Sequence, residues 1–328
     1  MDARWRARLG TAVMLLAGMS LAAQSWTPPR TAWGDPDLQG TWTSDNAIGV
    51  PFERPAQFGE RQVLTDEEFA ERLSANDQWI ADAEAERPVV AFKDDPAANN
   101  SPRHWLERSR TPSRQTALVV EPNDGRIPEL TAEGRQRMAT RVARRAARGP
   151  ADSWTDRSNY DRCITRGVTG SILPVIYGTD IRQAQGYVVI RNEMIHEARI
   201  IPLDGHPHVG PGIRSYMGDS RGRFEGNTLV VETTNFTDRT GIGPNGGGAM
   251  HSEALRLTER FTRTAPDTLR YEFTIDDPVT YTAPWGVALD LKAEPGYEIY
   301  EYACHEGNYG LPNMLSAARA EEEAAANR

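Results

Sequence analysis

Four consecutive hairpin-like units between residues 187 and 304 constrain this fold more than any other feature of the sequence. In the clearest unit, Phe224-Glu225 and Thr228–Thr234 flank Gly226-Asn227, a dipeptide typical of a tight hairpin turn. No helix-length crossover separates the four units, and parallel strands require such crossovers. The sequence therefore predicts an antiparallel sheet, and a closed or nearly closed barrel is one natural way to hide so many strand edges.

The other three units have the same form, with strand-like runs on both sides of a short turn. The predicted strand pairs are 187–191 with 194–201, 254–263 with 268–276, and 287–293 with 297–304. Turn-forming residues, such as Pro266 and Gly296, lie between the runs. One more short strand is predicted over Thr116–Glu121.

Helices are predicted outside this barrel. Thr65 and Glu68 form a capping box that starts a helix, and Pro88 ends it. A last helix, from Met314 to about Ala325, runs into an acidic tail. Residues 24–60 are rich in Pro, Gly and Trp, which indicates an irregular N-terminal arm packed against the body.

A helix from Thr131 to about Ala147, stopped by Gly149-Pro150, is strongly basic. One interpretation is a helix that binds anions or a membrane surface. The other, favoured because the apolar stripe is thin, is a solvated face that pairs with the acidic remainder of the chain. The six arginines are Arg135, Arg137, Arg141, Arg144, Arg145 and Arg148.

The N-terminus has the form of a cleavable secretory signal. Three arginines precede Ala12–Ala23, an apolar run that ends in small side chains. This run is shorter than the roughly 20 residues that a membrane-spanning helix needs. We therefore expect an exported protein, periplasmic or extracellular, with no stable membrane insertion after removal of the signal.

Composition and charge narrow the function classes. Of 328 residues, 39% are hydrophobic and 25% charged, which is ordinary globular composition. The net charge of −9 argues against nucleic acid as the main partner. We expect a signal peptide over 1–23, an arm and helix over 24–112, a barrel-like domain over 113–311 with the basic helix inserted at 131–147, and a C-terminal helix and tail over 312–328.

The chain contains two cysteines, Cys163 and Cys304. In an exported protein an even pair first suggests a disulfide, which here would close a loop of about 140 residues. A metal thiolate and a free nucleophile are the alternatives.

Several segments resemble a large, largely uncharacterised family of exported bacterial proteins. They are PDLQGTW (36–42), GDSRGRFEGNTLVVETTNF (218–236), LTERFTR (257–263), DTLRYEFTIDDPVTYTAPW (267–285) and YEYACHEGNYGL (300–311). The resemblance covers most of the chain after residue 23. It implies a mainly β, lipocalin-like barrel core and no particular reaction.

Glu259 is the first candidate for catalysis. In a strand over Ala254–Phe261 it shares a face with Leu255, Leu257 and Phe261, so it is a carboxylate among core positions. Burying it without a partner would cost several kcal/mol. The functional interpretation is a general acid or base. The structural one is an ion pair with an arginine such as Arg191 or Arg214.

Two more candidates lie on the predicted last strand. There Glu301 and His305 share a face with Ile299 and Ala303. The strand gives way to Gly307, so His305 is expected at the barrel mouth, where a histidine can titrate near neutral pH. A hydrogen-bonded histidine without chemistry is the alternative.

The loop before the second hairpin holds further polar candidates. His206 and His208 have the spacing of a metal-ligand pair if the segment is extended; surface hydrogen bonding is the alternative. Arg214, Asp219 and Arg221 lie in a polar stretch suited to a ligand carboxylate or phosphate. The alternative is a turn in which Asp219 pairs with Arg221.

No nucleophile elbow, phosphate-binding loop or dinucleotide fingerprint is present in the sequence. The first hypothesis is therefore an enzyme, a lyase, hydratase, isomerase or hydrolase, in which Glu259 or Glu301 acts with His305 or His208 on a small organic molecule. The second is a binding protein with a cavity lined by aromatic residues such as Tyr281 and Trp285. The third is a metalloprotein using His206 and His208. A small molecule is the expected partner. No cofactor is expected, with a divalent metal as the alternative.

Overall fold

The computed structural model describes residues 26–86, 108–149, 151–174, 177–243 and 248–327. The predicted signal peptide and the predicted helix stop at Pro88 lie outside these ranges. Within them, no helix is long and apolar enough to cross a bilayer.

The described residues form twelve strands and three α-helices. The strands are β1 Gly40–Thr43, β2 Val119–Glu121, β3 Thr179–Ala184, β4 Tyr187–Asn192, β5 Ala198–Pro202, β6 Asp219–Glu225, β7 Thr228–Thr234, β8 Gly241–Ile242, β9 Ala249–Met250, β10 Arg256–Ala265, β11 Thr268–Asp276 and β12 Trp285–Ala293. The helices are α1 Asp66–Glu86, α2 Ala132–Ala146 and α3 Gly310–Ala326.

Nine of these strands make a nearly closed antiparallel barrel, in the order β5-β4-β3-β1-β12-β11-β10-β7-β6. Strand β2 pairs with β12 beside this path, and β8 pairs with β9. The barrel edges β5 and β6 meet without a shared ladder. At Gly222 of β6 an added Cβ would lie 2.8 Å from the Ile201 side chain of β5, so side chains pack directly over this glycine. The predicted class, a mainly antiparallel β barrel with flanking helices, is confirmed.

The N-terminal arm is not wholly outside the barrel, as was expected. Its residues 40–43 form β1, which pairs with both β3 and β12. Trp42 is fully buried, its Nε1 donates to the Leu38 carbonyl at 3.0 Å, and the Arg263 guanidinium lies 5.4 Å from its ring centroid. Burial of this indole explains why the arm joins the sheet.

The predicted strand over 297–304 is wrong. After Ala293 the chain turns at Pro295-Gly296 and continues without a strand. A returning strand needs a free edge of β12, but at this end Thr268 of β11 and Thr43 of β1 already pair with Lys292. The predicted strand over 194–201 is also shorter, because Met194–His196 forms a single helical turn before β5.

Helices α1 and α2 begin where the sequence predicts, whereas α3 begins at Gly310, four residues before the predicted Met314. Glu68 accepts from the Thr65 amide at 2.8 Å and its own amide donates to Thr65 Oγ1 at 3.3 Å, which completes the capping box. In α2 the Thr131 hydroxyl accepts from the Gly134 amide at 2.9 Å. A Cβ on Gly134 would lie 2.4 Å from the Thr280 carbonyl oxygen. Glycine therefore lets the first turn of α2 press against the β11–β12 connection.

Cys163 and Cys304 form a disulfide, with an S–S distance of 1.96 Å and a sequence separation of 141 residues. The bond ties the segment after β12 to the segment before β3. Because this closes a long loop, the disulfide strongly limits the unfolded chain.

We predict that the Cys163→Ala/Cys304→Ala variant loses about 2–5 kcal/mol of unfolding free energy, measured by urea denaturation. Reducing agent should lower the stability of the wild-type protein in the same way and leave the variant unchanged. An unaltered unfolding midpoint in the variant would contradict this role.

Candidate functional site

Glu259 forms a buried ion pair inside the barrel. Its carboxylate accepts from Arg199 Nη1 at 2.6 Å, from Arg199 Nη2 at 3.0 Å and from the Tyr271 hydroxyl at 2.7 Å. Burial by itself would lower the pKa of Arg199, but the charge of Glu259 and its hydrogen bonds raise it. Burial and the charge of Glu259 raise the pKa of Tyr271. The structural interpretation of Glu259 therefore holds, with Arg199 in place of Arg191 or Arg214.

Glu301 and His305 do not join this carboxylate. Both side chains are exposed, on a segment that is not a strand, so the shared face predicted for them does not exist. The cause is the occupied edge of β12, which leaves no ladder to impose alternation on residues 297–304. His305 instead follows the disulfide-bonded Cys304 directly, with its side chain exposed.

His208, Asp219 and Arg221 are brought together at the start of β6. His208 Nδ1 lies 2.9 Å from Asp219 Oδ2, and Arg221 Nη1 donates to Asp219 Oδ1 at 3.0 Å. His206 turns to a different carboxylate, Asp204, at 2.9 Å and is exposed. The pairing of Asp219 with Arg221 is the one expected for a structural turn. In the described part of the chain, no group of three or more His, Cys, Asp or Glu side chains could hold a metal.

The remaining predicted ligand residues hold the structure together. Arg214 Nη1 donates to the carbonyls of Phe236 and Glu253 at 3.2 and 3.0 Å. The buried Tyr281 hydroxyl donates to the Met250 carbonyl at 2.6 Å. Trp285 is buried and packs edge-to-face on the Tyr281 ring. Tyr281 and Trp285 thus fill the core and do not line an open cavity.

A different carboxylate, Glu197, has the features expected of a functional group. Its Oε1 lies 3.2 Å from the Thr165 hydroxyl, and its Oε2 accepts from the Ser171 hydroxyl at 3.2 Å. Desolvation by burial raises the pKa of Glu197, although Arg199, both hydroxyls and Arg166 act against this. Perturbed carboxyl groups with specific polar neighbours are concentrated at functional sites.

The backbone is strained both in the segment of Glu197 and in the segment that carries Thr165 and Ser171. Ile195 has φ 60°, and Thr169, between the two hydroxyl-bearing residues, has φ 59°. β-Branched residues are genuine outliers in this left-handed region, and each such conformation costs of the order of 1–3 kcal/mol. Strain of this kind persists where surrounding structure enforces it, and it clusters at functional sites.

Aromatic side chains stand next to this group. The Arg166 guanidinium lies 5.8 Å from the Tyr160 ring centroid, and the Tyr177 and Tyr302 rings meet edge-to-face at 5.8 Å. Burial, followed by a hydrogen bond with Tyr160, raises the pKa of Tyr302. We call Glu197, Thr165, Ser171, Arg166 and these three tyrosines the Glu197 cluster.

The disulfide positions part of the Glu197 cluster. Cys163 lies three residues after Tyr160, and Cys304 lies two residues after Tyr302. Asn308 Nδ2 adds a bond to the Asp161 carbonyl at 2.8 Å. The disulfide therefore holds together the tyrosine-bearing segment before β3 and the one after β12.

Sequence reasoning missed Glu197, although a usable pattern was present. In the run 194–201, Glu197 and Arg199 share a strand face with Ile195 and Ile201, the same arrangement of charge among apolar positions that singled out Glu259. Thr165 and Ser171 lie outside any regular element, so no periodicity could place them beside Glu197.

A second polar site is a cleft of about 400 Å³ beside the end of β1. Asp45 and Glu294 line it together with Arg108, Arg110 and Tyr297. Burial raises the pKa of Asp45, and burial together with the charge of Asp45 raises the pKa of Glu294. The Tyr297 hydroxyl donates to Glu193, which is neither of the two carboxyl groups that line the cleft.

Comparison with known proteins adds no family to this geometry. No protein-family model, curated protein or solved structure matches the chain. The resemblance carried by segments such as 218–236 therefore stays a prediction.

We predict that Glu259→Gln loses about 3–5 kcal/mol of unfolding free energy, because Arg199 keeps its charge in a buried position without its carboxylate. Chemical denaturation measures this loss. Glu232→Gln is the matched control, since it removes an exposed ion pair with Arg223 at 2.7 Å and should cost less than about 1 kcal/mol. Equal losses in the two variants would refute a central role for the buried pair.

We predict that Glu197→Gln becomes more stable relative to wild type as pH rises. The raised pKa means that the folded state favours protonated Glu197, so wild type loses stability as pH climbs from the ordinary value of 4.5 through the folded-state pKa. Glutamine has no charge to desolvate and avoids this loss. Unfolding free energies between pH 4 and about pH 8 test the trend, with the exposed Glu301→Gln as control. A stability difference that shrinks with pH would contradict it.

Proposed function

We propose that this protein is an enzyme in which Glu197 acts as a general acid or base on a small organic molecule at one end of the barrel. The observation that carries the proposal is a desolvated carboxyl group, held by two hydroxyls and flanked by strained backbone. Because its pKa is raised, this carboxyl group holds its proton more tightly than an ordinary glutamate does, which suits a general acid or base.

The neighbours of Glu197 suit distinct roles in this reaction. Thr165 and Ser171 orient the carboxyl group, and the Gly167 amide donates to Thr165 Oγ1 at 3.1 Å, which orients that hydroxyl in turn. Arg166 supplies positive charge that favours a substrate carrying a carboxylate or developing an oxyanion. Tyrosine rings at this end favour a planar or partly apolar substrate body.

Glu197 takes the catalytic role that the sequence predicted for Glu259, and the class of reaction stays the same. Glu259 is neutralised by Arg199 at 2.6 Å, so it supports β5, the strand that begins directly after Glu197. The chemistry remains proton transfer in a lyase, hydratase, isomerase or hydrolase, and the proposal requires no cofactor. We also propose export to the periplasm or the extracellular space, directed by residues 1–23 and consistent with the disulfide.

A second candidate function, small-molecule binding without catalysis, is favoured by the Asp45–Glu294 cleft. The cleft of about 400 Å³ is within the size range of ligand sites. A lining that holds both carboxyl groups and arginines would suit a small zwitterion. In this case ligand retention would depend on Asp45 and Glu294 and be indifferent to Glu197.

The test is turnover of a mixture of small hydroxy, keto and amino acids in D₂O, followed by proton NMR. We expect substrate loss or deuterium incorporation with the wild-type protein, and a rate lowered about 10²–10⁴-fold in Glu197→Gln, the usual contribution of a general acid or base. Glu294→Gln, in the Asp45–Glu294 cleft, is the matched control and should retain the wild-type rate.

Two results would overturn the enzyme proposal. One is turnover by Glu197→Gln at the wild-type rate in a folded protein. The other is an unreactive mixture together with thermal stabilisation by its components that Glu294→Gln abolishes and Glu197→Gln preserves. That second result would establish the binding function in place of catalysis.

A further inference from the structure

The basic helix α2 packs on the body through its first turns, and an ion pair of Arg148, just beyond its last residue, adds a second attachment. Gly134 packs on the Thr280 carbonyl, and the Thr131 amide donates to the same oxygen at 3.0 Å. From residue 139 to 148 every residue except Arg141 is exposed. The second half of this helix therefore covers no part of the barrel core.

Three of the six arginines between residues 135 and 148 are engaged within the protein. Arg135 donates to the Leu130 carbonyl at 2.6 Å, Arg137 pairs with Asp238 at 3.1 Å, and Arg148 pairs with Asp156 at 3.1 Å. The expectation that the basic face pairs with the acidic remainder is correct for Arg137 and Arg148.

The other three arginines are not neutralised in this way. Arg141, Arg144 and Arg145 have no ion pair with any residue in the described ranges. Burial and repulsion from Arg145 and Arg144 lower the pKa of Arg141. Three like charges thus stay together on one helical stretch of a chain whose net charge is −9, and they call for an anionic partner.

Apolar side chains accompany these charges. Val142, between Arg141 and Arg145 on the helix surface, is 58% exposed, and Trp154 is 54% exposed. Trp154 belongs to the same short turn as Asp156, whose ion pair with Arg148 holds it at the end of α2. The Arg162 guanidinium lies 4.6 Å from the Trp154 ring centroid. Exposed tryptophan with arginine beside it is typical of surfaces that lie in the headgroup region of a membrane.

We propose that Arg141, Val142, Arg144, Arg145 and Trp154 form a patch that binds the surface of anionic phospholipid bilayers. The arginines contact the headgroup phosphates, and Val142 and Trp154 enter the interface between headgroups and acyl chains. A soluble polyanion would engage the arginines alone and gain nothing from Val142 or Trp154. Exposed apolar side chains are what favour a lipid surface over other anions.

The experiment is co-sedimentation of the full chain with vesicles of phosphatidylcholine containing 30% phosphatidylglycerol (about one anionic lipid in three). We expect binding that weakens on raising the salt from about 50 to 500 mM and that is absent with pure phosphatidylcholine. Arg141→Glu/Arg144→Glu/Arg145→Glu should bind on the order of 100-fold more weakly, the factor expected for three basic residues at an anionic leaflet.

The matched control is Arg126→Glu/Arg239→Glu/Arg256→Glu, which changes the net charge equally at three exposed positions elsewhere and should bind within about threefold of wild type. All variants share residues 12–23, so the apolar N-terminus cannot explain a difference between them. Trp154→Ala should weaken binding at both salt concentrations.

Several results would overturn the proposal. They are equal binding by the two triple variants, binding to pure phosphatidylcholine at the same strength, and a Trp154→Ala variant with wild-type affinity. If a short DNA duplex bound equally tightly per phosphate, the patch would be a general anion site and not a site for a lipid surface.

Discussion

The ion pair between Arg199 and Glu259 is the interaction on which the rest of this structure depends. The barrel edges β5 and β6 share no ladder, so backbone hydrogen bonds leave the barrel open there. The ion pair joins β5 to β10 through the interior, across that opening, with two hydrogen bonds of 2.6 and 3.0 Å. A slip of one residue in either strand would turn one partner outward. The pair therefore selects the register as well as the closure, the use for which buried charges are best attested.

The same ion pair also bears on the pKa of Glu197. Arg199 lies two residues further along the chain, and alternation places both side chains on the inner face of the chain entering β5. Because Glu259 already neutralises Arg199, the attraction of that arginine for Glu197 only partly offsets the cost of burial. The pKa of Glu197 is consequently raised. One buried charge pair thus supports the barrel and leaves the pKa of the neighbouring carboxyl group raised.

The end of the barrel near Glu197 is held by contacts distant in sequence. The disulfide brings residue 304 to residue 163, across 141 positions, and Asn308 adds a hydrogen bond to Asp161. Left-handed backbone at Thr169 and Ile195 is retained within this frame. Rigid support around strained residues is what a preorganised site requires.

The sequence by itself determined the elements whose causes are local. The turn at Gly226-Asn227, the capping box at Thr65 and the antiparallel pairing depend on neighbouring residues, and all three occur in the structure. It also determined that Glu259 needs a partner, because alternation puts a carboxylate among apolar side chains. The tertiary structure alone decided that the partner is Arg199, that residues 297–304 find no free strand edge, and that Glu197 meets Thr165 and Ser171. These outcomes depend on which distant segments meet, and strand periodicity carries no information about that.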